Sequence, residues 1–238
     1  MTDPGKLFVC ATPIGNLEDA SPRLLRILKE ADVIAAEDTR HTAKLLLHFG
    51  ITTPLTSYHK FSGRGKEDSI VSRILNGQNV ALVSDAGMPG ISDPGAALVK
   101  NAIAEGITIS VIPGPSAIIS ALAVSGMNTD RFVFEGFLPR EGKMRRRLLR
   151  ELAEEKRTMV FYESPHRLLK ALKDILAIFG DRDICVAREM TKIYEEFFRG
   201  KVSAAIESFS SREILGEITI CCDPAVPITS WKRQGVNR

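Results

Sequence analysis

Short apolar runs alternate with amphipathic segments through the first half of the sequence, and this alternation constrains the fold more than any other feature. Runs of strand length occupy residues 7–11, 33–36, 80–83 and 107–112, and a helix-type segment follows each of them. Strands that alternate with helices are typical of a parallel sheet with helices on its faces. We therefore expect an α/β fold.

Helix boundaries are marked by their usual residues. Ser21 and Pro22 predict an N-cap and a first helical position. Gly50 and Gly106 predict the ends of the helices that follow the second and third runs.

The pattern starts again near residue 126, where we place a domain boundary. We expect a first α/β domain over residues 1–126, a second α/β domain with a mixed sheet over residues 127–222, and a frayed tail over residues 223–238. In the second domain, strands are predicted at 132–138, 159–162, 184–187, 195–199 and 217–221, and helices at 142–156, 168–179 and 202–209.

Composition and charge indicate which partners, metal sites and cellular location are expected. The formal net charge is +3, which permits a nucleic-acid partner without requiring one. The four cysteines form no Cys-x-x-Cys pair and the four histidines have no zinc-ligand spacing, so no metal site is expected. Without a signal peptide or a long apolar stretch, a cytoplasmic protein with no membrane contact is expected.

The segment 84–95 is the strongest candidate for a ligand-binding loop. Its twelve residues include three glycines, two prolines, and the carboxylates Asp85 and Asp93. Glycine lets the backbone approach a ligand, and ligands of parallel sheets bind beyond the carboxyl ends of strands. A tight connection with unusual backbone angles is the alternative interpretation.

Segments 12–16 and 113–116 are loops of the same kind, and each also follows a predicted strand. Three such loops at one sheet edge would converge on one crevice. None has the Gly-x-Gly-x-x-Gly pattern or ends in Gly-Lys-Ser/Thr, so a ligand without a chain of phosphates is favoured.

A nearly unmixed basic run covers residues 140–150. Arginine binds phosphates through two hydrogen bonds, so we expect an RNA surface there rather than an ordinary solvated helix face. The stretch 60–66 is interpreted as a second basic segment, a mobile loop able to close on a polyanion. The predicted RNA-binding residues are Arg140, Lys143, Arg145, Arg146, Arg147, Lys60 and Arg64.

Polar residues after other predicted strands are candidates for chemistry, with structural ion pairing or helix capping as the alternative. In the first domain these are Glu37, Asp38 and Arg40. In the second domain they are Glu163, His166, Arg188, Glu189 and Lys192.

Seven segments occur in an order that resembles the tetrapyrrole methylase superfamily, and its RNA-modifying branch in particular. They are ATPIGNL (11–17), AEDTR (36–40), SDAGMPGISDPG (84–95), PGPSA (113–117), FEGFLP (134–139), FYESPHR (161–167) and AREMTK (187–192). The resemblance spans about residues 6–222. The tetrapyrrole-modifying members carry a Gly-x-Gly-x-Gly-Asp loop where this chain has 11–16, which favours the RNA branch.

The resemblance implies an S-adenosylmethionine-dependent methyltransferase. It implies a homodimer, a donor held in a cleft between two α/β domains, and 2′-O-methylation of a cytidine ribose in the decoding region of 16S rRNA, within the 30S subunit. It also implies a small helical C-terminal domain, for which the chain after Cys222 is short. By matching position, the donor residues would be Pro13, Asp85, Met88, Ser116, Ala117, Tyr162, Ala187 and Thr219.

Methyl transfer from a sulfonium is an in-line displacement, so positioning contributes most to catalysis. A base or cation near the ribose hydroxyl would help, and we expect Lys192 or Glu163 to contact the reacting ribose. Two alternatives remain: methylation of a corrin-like tetrapyrrole, and a non-catalytic RNA-binding module.

Overall fold

A computed structural model describes residues 3–60 and 62–224. The chain divides between Ala117 and Ile118 into a first and a second unit, each built around one five-stranded sheet. The predicted domain boundary near residue 126 stays a prediction. Residues 225–238 of the predicted tail lie outside the described residues.

The first unit is a parallel sheet with the strand order β3-β2-β4-β1-β5. Its strands are β1 (Lys6–Cys10), β2 (Val33–Ala36), β3 (Leu55–Ser57), β4 (Val80–Val83) and β5 (Thr108–Ile112). Its helices are α1 (Pro22–Glu30), α2 (Thr39–His48), α3 (Arg64–Leu75) and α4 (Ala96–Ala104). Helix α5 (Ala117–Ser125) begins at the last residue of the first unit and continues into the second.

Both faces of this sheet are covered, as the uninterrupted apolar strands predict. Alternate residues of β2 and β4 point to opposite sides. Val33 and Leu82 pack in a cluster with α3 and α4, whereas Ile34 and Val83 pack in a cluster with α1 and α2. The predicted start of α1 is confirmed, because the Ser21 hydroxyl accepts a hydrogen bond from the Leu24 amide at 3.1 Å.

The second unit is a mixed sheet with the order β6-β7-β10-β8-β9. The pair β6–β7 is parallel and the other pairs are antiparallel. Its elements are β6 (Phe132–Phe137), α6 (Gly142–Glu151), β7 (Thr158–Glu163), α7 (Leu168–Phe179), β8 (Asp183–Arg188), β9 (Glu196–Lys201), α8 (Val202–Ser210) and β10 (Ile218–Cys222).

Helices α6, α7 and α8 pack on one face of this second sheet. Met159, Phe161, Val186 and Ile220 point into that helix-covered face and form one core with the helices. Because successive strand residues alternate, Tyr162 and its neighbours in register point to the opposite face.

Two parts of the secondary structure differ from the sequence prediction. Strand β3 and helix α3 were not predicted, since β3 has three residues and Gly63 provides no side-chain cap for α3. Helix α6 ends at Glu151 instead of residue 156. The Glu155 carboxylate accepts hydrogen bonds from the amides of Lys156 and Arg157, and these compete with helical bonding.

Within the described residues, no helix combines the length and apolar character that crossing a membrane requires.

Candidate functional site

Three loops meet at the carboxyl ends of β1, β4 and β5, which are neighbours in the first sheet. Thr12 and Gly87 exchange two backbone hydrogen bonds, of 2.9 and 3.1 Å, and the Thr12 hydroxyl donates to the Ser84 carbonyl oxygen at 3.2 Å. A Cβ atom added to Gly87 would lie 3.5 Å from Ile14 Cγ2 and 3.6 Å from the Pro115 carbonyl oxygen. The loops 11–16, 84–95 and 113–116 therefore converge as predicted.

The predicted donor residues of the first unit lie in or directly beside these three loops. Pro13 is buried in the first loop, Asp85 and Met88 are half-buried in the second, and Ser116 and Ala117 are half-buried where the third enters α5. The end of β2 joins the same edge, because the Asp38 amide donates to Asp85 Oδ1 at 3.0 Å.

A group of carboxylates surrounds this edge. Burial, together with the negative charges of Asp93 and Asp85, raises the pKa of Glu37 to about 7. Asp38 caps α2 through the Arg40 amide, and the Arg40 side chain holds the pKa of Asp38 well below its usual range. The end of β2, which the sequence analysis identified as a candidate region, thus positions both Glu37 and Asp38.

The chemistry of these loops fits S-adenosylmethionine better than a nucleotide phosphate. The three loops contain no lysine or arginine, so they offer no cation to a phosphate. The carboxylates of Glu37, Asp85 and Asp93 instead favour a positively charged ligand, such as a sulfonium with an ammonium group. Within the described residues, no cluster of side chains is arranged to hold a metal ion.

In the second unit, the other three predicted donor residues form one row across the sheet. Thr219 is in register with Tyr162 on one side and with Ala187 on the other. All three point away from the helix-covered face, and we call them the donor row. Side chains that are 57 residues apart in sequence, Tyr162 and Thr219, thus become direct neighbours.

Two aromatic residues flank the donor row, and both belong to the segment 134–139, which the sequence analysis named without giving either residue a role. Phe134 and Phe137 lie with ring centroids 5.0 and 5.4 Å from that of Tyr162. A bulge between Phe134 and Gly136 brings both rings to the same side although they are three residues apart. The glycine within the strand, Gly136, was the available signal.

Glu163 was predicted to contact the ribose, but its side chain points to the other face of the sheet from the donor row. It follows Tyr162 and therefore points to the helix-covered face, where its side chain is fully buried. Its Oε1 atom accepts from Arg167 at 2.6 Å and from the Ser164 amide at 2.7 Å, and burial raises its pKa. Glu163 is therefore enclosed on the face opposite the donor row, where its side chain is not accessible to a ribose.

Lys192 is held by two carboxylates. Its Nζ atom donates to Glu189 at 2.8 Å and to Glu217 at 3.0 Å. Partial burial lowers the pKa of Lys192, but these hydrogen bonds outweigh burial and raise it overall. Lys192 therefore keeps its proton, and only a role as a cation remains open to it.

Arg145 is the clearest correction among the predicted RNA-binding residues. Its side chain is 6% exposed and is paired with Asp174 of α7, with Nη2 2.7 Å from Oδ2. It lies one helical turn before the buried Leu149, on the inner face of α6. Arg145 is thus a structural residue that joins α6 to α7, and it is not available to a phosphate.

The other predicted α6 residues are exposed. Arg147 is 81% exposed and pairs with Glu151, and Arg146 is 3.6 Å from Asp174. We call Arg140, Lys143, Arg146 and Arg147 the α6 basic surface. Lys170 and Lys173 are also exposed and belong to α7, the helix that Asp174 joins to α6; the sequence analysis did not include them.

The predicted basic loop over residues 60–66 is wrong in its second part. Arg64 and Lys66 belong to the first turn of α3, and Lys66 Nζ donates to the Thr56 hydroxyl at 2.7 Å. Lys60 and Arg64 are exposed. The segment is therefore partly helical, and its cations are carried on an ordered helix start.

Of the remaining candidates in the second unit, one is exposed to solvent and two form ion pairs. His166 is exposed. Arg188 bonds Glu196 at 2.8 Å, and Glu189 accepts from Lys192, so the structural interpretation holds for both.

Comparison with known proteins agrees with this geometry. The family described as Tetrapyrrole (Corrin/Porphyrin) Methylases matches residues 6–206. A ribosomal RNA small subunit methyltransferase I from Thermotoga maritima is 54% identical over 91% of this chain and 97% of its own length. The protein of the same name from Bacillus subtilis is 45% identical over 92% of this chain and 75% of its own.

Solved structures share the fold at low identity. The methyltransferase CobJ has a TM-score of 0.69 at 19% identity, covering 93% of this chain and 95% of its own. A diphthine synthase has a TM-score of 0.70 at 14% identity, covering 91% and 89%. The predicted fold class is thus confirmed.

The converging loops, the donor row and these relatives lead to one conclusion. The chain belongs to the tetrapyrrole methylase family and, within it, to the ribosomal RNA small subunit methyltransferase I group.

Proposed function

We propose that this chain transfers the methyl group of S-adenosylmethionine to the ribose 2′-hydroxyl of a cytidine in the decoding region of 16S rRNA. The observation that carries the proposal is the identity of 54% with a ribosomal RNA small subunit methyltransferase I over 91% of the chain. We further expect a homodimer that works on the 30S subunit in the cytoplasm.

The residues proposed to bind the donor come from the converging loops and from the donor row. The loop residues are Pro13, Asp85, Met88, Ser116 and Ala117, and the donor row is Tyr162, Ala187 and Thr219. When bound, the donor supplies a methyl group on a positively charged sulfur. The carboxylate of Asp85 and the apolar side chains of Pro13 and Met88 would fix its polar and apolar parts.

The α6 basic surface is the proposed contact for the RNA backbone. Its four cations are exposed, and Lys170 and Lys173 extend it on α7. Arginine side chains pair with phosphates through two hydrogen bonds, whereas lysine acts as a point charge. These contacts would hold the RNA in register without selecting its sequence.

Glu37 is the first candidate for the group that accepts the hydroxyl proton. Lys192 keeps its own proton, Glu163 is enclosed, and the low pKa of Asp38 makes it a weak base. Glu37 has a pKa of about 7, and its neighbour Asp38 is hydrogen-bonded to Asp85. A base with a pKa near the working pH is the most effective one.

The proposal is tested by incubating the protein and labelled S-adenosylmethionine with two acceptors. These are 30S subunits from a strain that lacks the modification, and a corrin-type tetrapyrrole. We expect label in 16S rRNA and none in the tetrapyrrole. Label in the tetrapyrrole alone would establish the small-molecule alternative, and binding of RNA without binding of the donor would establish a non-catalytic module.

A further inference from the structure

The turn between β8 and β9 holds two large apolar side chains in solvent. Ile193 is 94% exposed and Tyr194 is 71% exposed. We call this pair the β8–β9 tip. Single exposed apolar residues are ordinary, whereas adjacent ones form a contiguous apolar patch of the kind that marks interaction sites.

The backbone of this turn is held in a rarely populated conformation. Glu189 and Thr191 have φ angles of 51° and 67°, in the left-handed region that side chains disfavour. Such conformations persist where the surroundings impose them, and they are concentrated at functional sites.

Hydrogen bonds impose the conformation from within the turn. The Lys192 amide donates to the Glu189 carbonyl oxygen at 3.0 Å, and the Glu195 amide donates to the Lys192 carbonyl oxygen at 3.1 Å. The Thr191 amide donates to Glu195 Oε2 at 2.7 Å.

Further contacts tie the turn to the segment before β10. The Glu189 amide donates to the Glu217 carbonyl oxygen, and Glu189 Oε1 accepts from both Lys192 Nζ and the Glu217 amide. Gly216 lies beneath this contact with a φ angle of 90°, which favours glycine, and an added Cβ would collide with the Glu189 side chain. The tip is thus presented on a rigid base and loses little entropy when it binds.

The tip lies at the end of the sheet that carries the donor row. Ala187 precedes the turn by two residues, and Glu217, to which the turn is bonded, precedes Thr219 by two. The tip and the donor row therefore lie toward the same end of this sheet.

The charges around the tip are compatible with RNA. Lys192 pairs with Glu189 and Glu217, and Glu196 is paired with both Arg188 and Arg212. With the exposed Glu195 included, four carboxylates face these three cations, so the tip offers RNA a contact to a base and not to a phosphate. The exposed phenol ring is the kind of flat surface on which a nucleobase stacks.

We propose that Tyr194, supported by Ile193, stacks on a nucleobase of the RNA substrate close to the reacting ribose. This inference rests on the proposed function. It adds a base contact to the phosphate contacts of the α6 basic surface, and it assigns substrate positioning to a residue outside the converging loops.

The test compares Tyr194→Ala, Tyr194→Leu and Tyr194→Phe in methyl transfer to unmodified 30S subunits. Loss of one stacked base corresponds to a rise in KM of roughly 5- to 150-fold for the alanine variant. Phenylalanine restores the ring and should keep KM near the wild-type value, whereas leucine is apolar but not aromatic and should resemble alanine. Affinity for S-adenosylmethionine, measured by calorimetry, should be unchanged in all three.

Leu47→Ala is the matched control, because Leu47 of α2 is 83% exposed and lies in the first unit. It should leave KM unchanged. The inference is overturned if Tyr194→Ala keeps the wild-type KM, if leucine serves as well as phenylalanine, or if light scattering shows that Tyr194→Ala breaks an oligomer. The last result would identify the tip as a protein–protein contact.

Failure of the proposed function is seen separately, as absence of methyl transfer by the wild-type protein. In that case, filter binding of 16S rRNA to the wild-type and Tyr194→Ala proteins decides the inference. Weaker binding by the variant would support a stacking contact, and equal binding would overturn it.

Discussion

Arg145 and Arg147 are two positions apart in one helix and have different environments. Arg145 is enclosed with Asp174, whereas Arg147 is 81% exposed. The sequence predicted both as RNA contacts because composition identifies a basic run but not its inner face. The spacing of four residues between Arg145 and the buried Leu149 was the signal that separates them.

We predict opposite consequences for the two alanine substitutions. Arg145→Ala removes the closest cation of the half-buried Asp174, which keeps only Arg146 at 3.6 Å, and should lower the free energy of unfolding by about 1.5–3 kcal/mol. Arg147→Ala removes one exposed pair and should cost less than about 1 kcal/mol while weakening RNA binding. Urea unfolding and filter binding of 16S rRNA measure the two effects. A stable Arg145→Ala protein with weakened RNA binding would reverse the assignment.

Glu37→Gln is expected to change how stability depends on pH. Burial raises the pKa of Glu37 from 4.5 to about 7, so the folded protein retains a proton that the unfolded chain loses. Stability associated with this group is therefore present below pH 4.5 and is lost as the pH rises through about 7. Glu37→Gln should remove that loss, which denaturant midpoints at about pH 5 and about pH 8 would show. Asp68→Asn, at an exposed position on α3, is the control.

The same variant tests the proposed proton acceptor. Wild-type kcat should increase with pH through about 7, because the base acts in its ionised form. Glu37→Gln should lower kcat by about 10²- to 10⁴-fold and abolish this step in the pH profile. Unchanged kcat with normal donor affinity would remove Glu37 from the mechanism.

At the scale of elements, predictions succeeded where a local signal was strong. The bounds of β2, β4 and α7 were predicted correctly, since each is a clear apolar or amphipathic run. Strand β3 has no recognisable period over three residues, and α3 starts at an uncapped glycine. The donor row depends on antiparallel register, which the separate strand sequences do not contain.

Helix α6 should contribute most of the salt dependence of RNA binding. Removing one cation that binds a phosphate reduces the slope of log affinity against log salt concentration by about 0.7 to 0.9. A double variant that carries Lys143→Ala and Arg147→Ala should therefore reduce this slope by about 1.4 to 1.8. The double variant Lys29→Ala with Lys44→Ala, at exposed positions of α1 and α2, should leave it unchanged. Equal slopes in both double variants would show that α6 does not bind the RNA backbone.

At the scale of the whole molecule, donor binding should stabilise the folded chain. A ligand at a hundred times its Kd adds about 2.7 kcal/mol to the free energy of unfolding if it binds only the folded state. Asp85→Asn and Thr219→Val lie in different units, and each should reduce the increase in Tm caused by S-adenosylmethionine. If one variant keeps the full increase, the corresponding unit does not contribute to the donor site.

The most direct test of the central claim is the identity of the methylated product. After reaction with labelled S-adenosylmethionine, one portion of the 16S rRNA from the 30S subunits is digested to nucleosides to identify the methylated nucleoside. A second portion is digested to oligonucleotides, in which mass spectrometry locates the modified position. We predict 2′-O-methylcytidine at a single position in the decoding region. Label on a base, at scattered positions, or absent from the rRNA would contradict the proposed function.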